Sequence, residues 1–283
     1  VTLALARRLE PDSALPLFRQ SRAYWQAPDL VAVRRAYASG ARSFIARGFP
    51  SEALELLAEA PNDDALTELR ARALAMAGNY QGALEALASL PPSRRPESLE
   101  ATVLQRLGRP REAEAAAQRA LGGELLERAS AFDTLSELAR ARGDFAAAAA
   151  HSRRAGALWR VLGETSAWLG SLLALAVAQH YLGEDAEATL QEVLANPGAT
   201  TTVRARASHR LGRLYDHAGD EVRALAHYHA AIGLAESTGV REIAARSWIN
   251  IATIHHVAGR AELAERAYLT ALGYVQHTGD GEL

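Results

Sequence analysis

The stretch Ser208-His-Arg-Leu-Gly-Arg-Leu-Tyr-Asp-His-Ala-Gly-Asp-Glu-Val-Arg-Ala224 decides the fold. Gly219 reads as the end of one helix, in the left-handed C-cap conformation that other residues adopt only at a cost. Asp220 follows it, where an acid caps or favours the positive start of a second helix. Ala224 falls where the two helices cross, so a larger side chain there would force them apart. One glycine and one alanine at this spacing would mean nothing. The same signature, Gly-x-x-x-x-Ala, recurs seven times at the same place in a helix–turn–helix pattern, at Gly48 with Ala53, Gly78 with Ala83, Gly108 with Ala113, Gly143 with Ala148, Gly183 with Ala188, Gly219 with Ala224 and Gly259 with Ala264. The glycines are separated by 30, 30, 35, 40, 36 and 40 residues, and a fixed motif at such a step is the mark of a solenoid of helix pairs. Acids also follow the glycine at Asp144 and Glu184. Pro50 and Pro110 stand in the first turn of their second helices, where a missing N–H costs nothing.

Composition agrees with helices packed closely through small residues. Of 283 residues 62 are Ala, against six Ile and twelve Val, which excludes a β-rich fold. All 31 basic residues are Arg, so a P-loop lysine and a Schiff-base lysine are both excluded from this segment. The absence of Cys excludes thiol nucleophiles, Cys-ligated zinc, iron–sulfur clusters and disulfides. No Gly-x-Ser-x-Gly, catalytic triad order or singled-out carboxylate pair is present, so a non-enzymatic chain without a cofactor is expected. The formal charge of −2 is spread evenly and argues against a nucleic-acid surface. No apolar run is long enough for a membrane span. Together with the absence of disulfides, this leads to an expected cytoplasmic location. The sequence starts on Val and ends on Gly-Asp-Gly-Glu-Leu, so a fragment of a larger protein is expected.

The residues around the glycines resemble the tetratricopeptide repeat: Trp-x-x-Leu-Gly-x-x-Tyr, then Gly-x-Tyr, then Ala, an aromatic and Ala. Leu211, Gly212 and Tyr215 precede Gly219, and Trp248, Ile251, Ala252 and His255 precede Gly259. Ala224, Tyr228 and Ala231 fill the last three places in one repeat, and Ala264, Tyr268 and Ala271 in the next. Tyr80 and Phe145 take the aromatic place two after their glycines. The resemblance covers about residues 30–276. It implies an all-α, right-handed superhelical solenoid of antiparallel helix pairs, with about eight repeats and about 16 helices in one domain, 1–283. Within it, 1–27 reads as an incomplete first repeat, 28–122 as shorter repeats and 123–283 as longer ones; residues 90–96 are the best candidate for a bend. The longer repeats resemble the sensor arrays of bacterial regulators such as the maltose-activator (MalT-like) family and the quorum-peptide receptors.

That resemblance implies a ligand-sensing domain of a bacterial transcriptional regulator that takes a protein, a peptide or a small-molecule effector in its concave groove. The alternative is a stand-alone scaffold for protein assembly. Self-association is compatible with both. The first helices line that groove in the family. The matching positions here are His180 and Tyr181; Arg206, His209, Arg213, Asp216 and His217; and Arg246, Asn250, Thr253 and His256. Arg forks suit a carboxylate or phosphate. Histidine changes charge between about pH 5 and 8, so binding of an anion is expected to weaken as pH rises. Adjacent His255 and His256 diverge by about 100° on a helix, and His227 and His229 do not share a face, so no metal site is expected.

Overall fold

The structure, a computed structural model, describes residues 30–276, so the expected first repeat at 1–27 and His277 lie outside the described residues. Among the described residues there are fourteen α-helices and no strand. Twelve of them pack as six successive pairs, and the eighth expected pair falls on residues that are not described. The chain forms two compact units divided after Thr134.

In the first unit α1 (Leu30–Ala46) pairs with α2 (Pro50–Ala58), α3 (Asp64–Met76) with α4 (Tyr80–Ala88), and α5 (Glu97–Arg106) with α6 (Pro110–Ala120). The division falls within α7 (Leu125–Ala141). The second unit continues with α8 (Phe145–Leu162), α9 (Thr165–Leu182), α10 (Ala186–Ala195), α11 (Thr201–His217), α12 (Glu221–Thr238), α13 (Arg241–Val257) and α14 (Ala261–Gln276). Each helix packs on its successor along α1–α6 and along α8–α14. First helices also touch across one pair: α1 with α3, α9 with α11, and α11 with α13. In the second unit that contact builds a wall of the first helices α9, α11 and α13.

All seven signature glycines have positive φ, from 70° to 82°. At Gly219 (φ 77°) the Asp220 carboxylate then accepts from the Arg223 N–H at 2.9 Å, so the turn satisfies the helix ends on both sides. Asp144 caps α8 in the same way through Ala147 N–H at 2.9 Å, and Pro50 and Pro110 begin α2 and α6. Glu184 does not cap: Asp185 takes that role for α10 through Ala188 N–H at 2.9 Å, and Glu184 pairs with Arg153 at 2.6 Å. The later cap starts α10 one residue later and slips its register by two. Ala186, not Ala188, is the buried crossing residue there, while the alanines at 53, 83, 113, 148, 224 and 264 are all buried.

The turns between pairs use two devices. Gly163 (φ 75°) and Gly239 (φ 71°) end α8 and α12 in the left-handed region. After α2, α4 and α10 an Arg from the following segment closes the orphan carbonyls of the preceding helix. Arg70 donates to Leu57 O at 2.7 Å, Arg95 to Leu87 O at 3.1 Å, and Arg204 to Leu194 O at 2.6 Å. Residues 90–96 hold a single 3-10 turn, Pro92–Arg94. The larger core, in the second unit, runs from Leu169 to Ala267 around fully buried Leu211, Tyr228 and Ile251. No helix among the described residues is long and apolar enough to cross a membrane.

Candidate functional site

The candidate site lies on the wall of first helices α9, α11 and α13. α11 and α13 are amphipathic in sequence because one side packs on the second helices while the other meets solvent, whereas α9 is apolar around most of its circumference. The eleven sequence-predicted residues do not form one cluster. They separate into two groups and four residues apart from either.

His180, Tyr181, Arg213 and His217 come together between the ends of α9 and α11. His180 Nε2 and His217 Nδ1 share one hydrogen at 2.6 Å, with ring centroids 4.7 Å apart. Arg213 Nη2 reaches the Tyr181 hydroxyl at 3.5 Å. Tyr181 lies flat on Phe145, with centroids 4.2 Å apart and planes 12° from parallel. Below this rim is a shallow cleft, open to solvent, with a volume of only about 20 Å³, whose apolar lining includes Val177, Leu190 and Leu214. Partial burial lowers the His180 pKa, and the nearby charges of His217 and Arg213 lower it further.

His209, Asp216 and Asn250 gather around the buried ring of Tyr228. Ser247 gives its only hydroxyl hydrogen to Ile243 O at 2.8 Å; assigned on that basis, His209 Nδ1 carries a hydrogen and donates to Ser247 Oγ at 2.9 Å. Burial brings the His209 pKa down to about 4, and the charges of Arg210, Arg213 and Arg246 add to the effect. His209 is therefore neutral across the range in which it was expected to switch, a correction to the sequence expectation. Burial raises the Asp216 pKa against the opposing pull of His217 and Arg213. Burial, with the Asp216 carboxylate beside it, also raises that of the Tyr228 phenol.

The remaining four stand apart. Arg206 is exposed and makes no ion pair among the described residues. Arg246 is committed to Glu242 on its own helix at 2.8 Å. Thr253 donates to Ile249 O at 2.9 Å and meets the Tyr268 hydroxyl at 3.5 Å. His256 is exposed, and its ring reaches none of the other candidates among the described residues. No three His, Asp or Glu side chains among the described residues converge as a metal site.

The cleft also contains a residue the sequence reading passed over. Arg210 lines it beside Arg213, and among the described residues no hydrogen bond or ion pair reaches its guanidinium. Burial brings its pKa down to about 10; Glu137 opposes this, while Arg213, Arg140 and Arg206 reinforce it. The signal was present in the sequence: Arg206, Arg210, Arg213 and His217 follow at intervals of four, three and four, a cationic stripe on one helix face.

No protein-family model matches the chain, and no curated protein matches its sequence. Solved structures do. The apo form of the quorum sensor NprR from B. thuringiensis aligns with a TM-score of 0.74 at 14% identity, over 97% of this chain and 86% of that one. A signal transduction ATPase with numerous domains from Pyrococcus horikoshii, which has a tetratricopeptide repeat sensor, aligns with a TM-score of 0.65 at 14% identity, over 89% of this chain and 41% of that one. The apo form of RapI aligns with a TM-score of 0.64 at 14% identity, over 85% of this chain and 76% of that one. The fold is that of a tetratricopeptide-repeat protein. On the tetratricopeptide frame, α9, α11 and α13 are first helices, and Gly212, Tyr228 and the turn glycines occupy the positions at which the repeat pattern places them. The present chain spans less than half the length of the ATPase.

Proposed function

We propose that this tetratricopeptide chain acts as the sensing part of a bacterial regulator, without catalysis of its own. In this reading the second unit accepts a protein or peptide partner, or a small effector, on the wall of α9, α11 and α13. The observation that carries it is the concentration of uncommitted cations there. Arg206, Arg210 and Arg213 have no ion-pair partner among the described residues, whereas Arg153 and Arg223 on second helices are each paired at 2.6 Å. Uncommitted guanidiniums beside an aromatic pair and an apolar cleft are suited to binding a partner with anionic groups. The likeness to a quorum sensor and to an ATPase with a repeat sensor supports a sensing role. A cytoplasmic location and action of the two units as one domain belong to the same proposal.

The test is affinity capture from native lysate, with proteins, peptides and small molecules quantified by mass spectrometry. Three forms of the full chain are compared: unmodified, Arg206→Ala with Arg213→Ala, and Arg153→Ala with Arg223→Ala. The proposal expects a species retained by the first and third forms and lost by the second. A species lost only when the second-helix arginines are removed overturns it in favour of a scaffold that uses its outer face.

A further inference from the structure

His180 and His217 stand in the last turns of α9 and α11, so the bond between their rings ties the ends of two neighbouring helices of the wall. At 2.6 Å between Nε2 and Nδ1 there is room for one hydrogen and no second. Whichever ring donates, the other must offer a lone pair. A first added proton goes to the outer nitrogen of the donating ring, which then donates to its neutral partner in a stronger, charge-assisted bond. A second proton occupies the accepting nitrogen. It sets N–H against N–H and places two cations in rings whose centroids are 4.7 Å apart.

The surroundings balance one added charge and not two. Asp216 on α11 lies in the field of His217, and both rings sit at helix C-termini, which favour a cation. Against this stand Arg213 beside the pair and Arg206 and Arg210 further along α11. Burial, the charge of His217 and that of Arg213 together lower the His180 pKa. The other acids on the packed elements are committed. Glu184, after α9, holds Arg153 on α8 at 2.6 Å, and Glu187 on α10 accepts from the Tyr215 hydroxyl at 2.6 Å. Asp220, before α12, holds Arg223 at 2.6 Å. On α13 Glu242 is taken by Arg246 at 2.8 Å, and His256 is exposed.

We propose that His180 and His217 form a proton-operated latch between α9 and α11, closed with no added proton or with one and released by two. Tyr181 follows His180 directly, and Arg213 lies one turn before His217. Release therefore moves the Tyr181 hydroxyl away from Arg213, which it meets at 3.5 Å when the latch is closed, and changes the surface of the wall. The bond contributes fully while the pair carries at most one added proton. It is lost as pH falls through the second step of the pair, which like-charge repulsion places below the ordinary histidine value near 6.5. The latch is a property of the wall itself, independent of which partner the wall accepts.

The test has two readouts on the full chain. Imidazole 15N resonances are followed against pH in the unmodified chain, in His180→Gln and in His217→Gln, which also assign the two rings. The pair is expected to titrate in two steps separated by about one pH unit or more, and the ring left in either variant in a single step between them. The distance between the helix ends is read by pulsed electron spin resonance with nitroxides on Leu182→Cys and Ala218→Cys. Both sites are exposed, and the chain has no cysteine of its own. The distance is expected to hold through the first step and to lengthen through the second. In His217→Gln the neutral amide still accepts from His180 and takes no second proton, so the distance is expected to stay constant across the same range. His209 titrates alike in both forms, and circular dichroism at each pH compares their helix content. Independent single steps for the two rings, or a distance unchanged through both steps, overturns the latch. A distance that lengthens equally in His217→Gln reports general acid unfolding and overturns it as well.

Discussion

Gly212 faces the ring of Tyr228 so closely that a β-carbon at 212 would stand 2.6 Å from both Cδ1 and Cε1. Tyr228 is fully buried and has nowhere to move. The crossing of α11 and α12 therefore depends on a missing side chain on one helix and a large one on the other. Gly212→Ala is expected to lower stability by about 1–3 kcal/mol through overpacking. Gly233→Ala, at an exposed helical site with nothing within 4 Å, is expected to raise stability by up to about 1 kcal/mol. Urea denaturation of the two variants checks both signs.

The register slip in α10 gives a second pair. Ala224→Leu enters a fully buried crossing and is expected to cost about 1–3 kcal/mol. Ala188→Leu sits at the same place in the sequence signature but on an exposed site, and is expected to change stability by less than about 0.5 kcal/mol. Equal costs in thermal unfolding would mean that Ala188, not Ala186, is the crossing residue.

Tyr228 and Tyr268 occupy equivalent places in successive repeats, yet Tyr268 is 43% exposed. The reason lies in the stacking: α13 covers α12, whereas no described helix follows α14. Tyr228→Ala is expected to cost about 3–5 kcal/mol. Tyr268→Ala is expected to cost less than about 1 kcal/mol. Chemical denaturation of the two variants separates them.

His209 makes stability depend on pH. Its folded pKa of about 4 lies below the ordinary value near 6.5, so the unfolded chain binds the proton more readily. The contribution is complete above about pH 6.5 and is lost as pH falls toward about 4, with a magnitude on the order of 2–3 kcal/mol. His209→Gln is expected to reduce the drop in unfolding free energy between about pH 7 and about pH 4.5 relative to the unmodified chain. An unchanged drop would mean that His209 titrates normally in the folded state.

The fold could be read from the sequence because the repeat turns depend on a backbone conformation that favours glycine. The seven signature glycines gave the helix boundaries without any knowledge of packing. Gly163 and Gly239 do the same work between pairs and were not singled out: Gly163 has Trp168 five residues on, and Gly239, although Ala244 follows it at the signature spacing, falls between two turns of the repeat. The Ala188 position misled because Asp185 outcompetes Glu184 as a cap, a choice made by local geometry that spacing does not encode. The site was legible in part. The repeat register found His180, Tyr181, Arg213 and His217, which do meet. It passed over Arg210, although the stripe through Arg206, Arg210, Arg213 and His217 was there to be counted. The Glu242–Arg246 pair stands at i,i+4 and was there to be counted as well, whereas the neutrality of His209 is a consequence of burial, which no periodicity reports.

The central claim is that the first-helix wall of the second unit binds the partner through its uncommitted arginines. The most direct measurement is the affinity of the captured partner, purified, for the chain with Arg206→Ala and Arg213→Ala and for the chain with Arg153→Ala and Arg223→Ala. The account predicts a loss of about tenfold or more for the first, less than about twofold for the second, and unchanged melting temperatures for both. Normal binding by the first and loss by the second would contradict it.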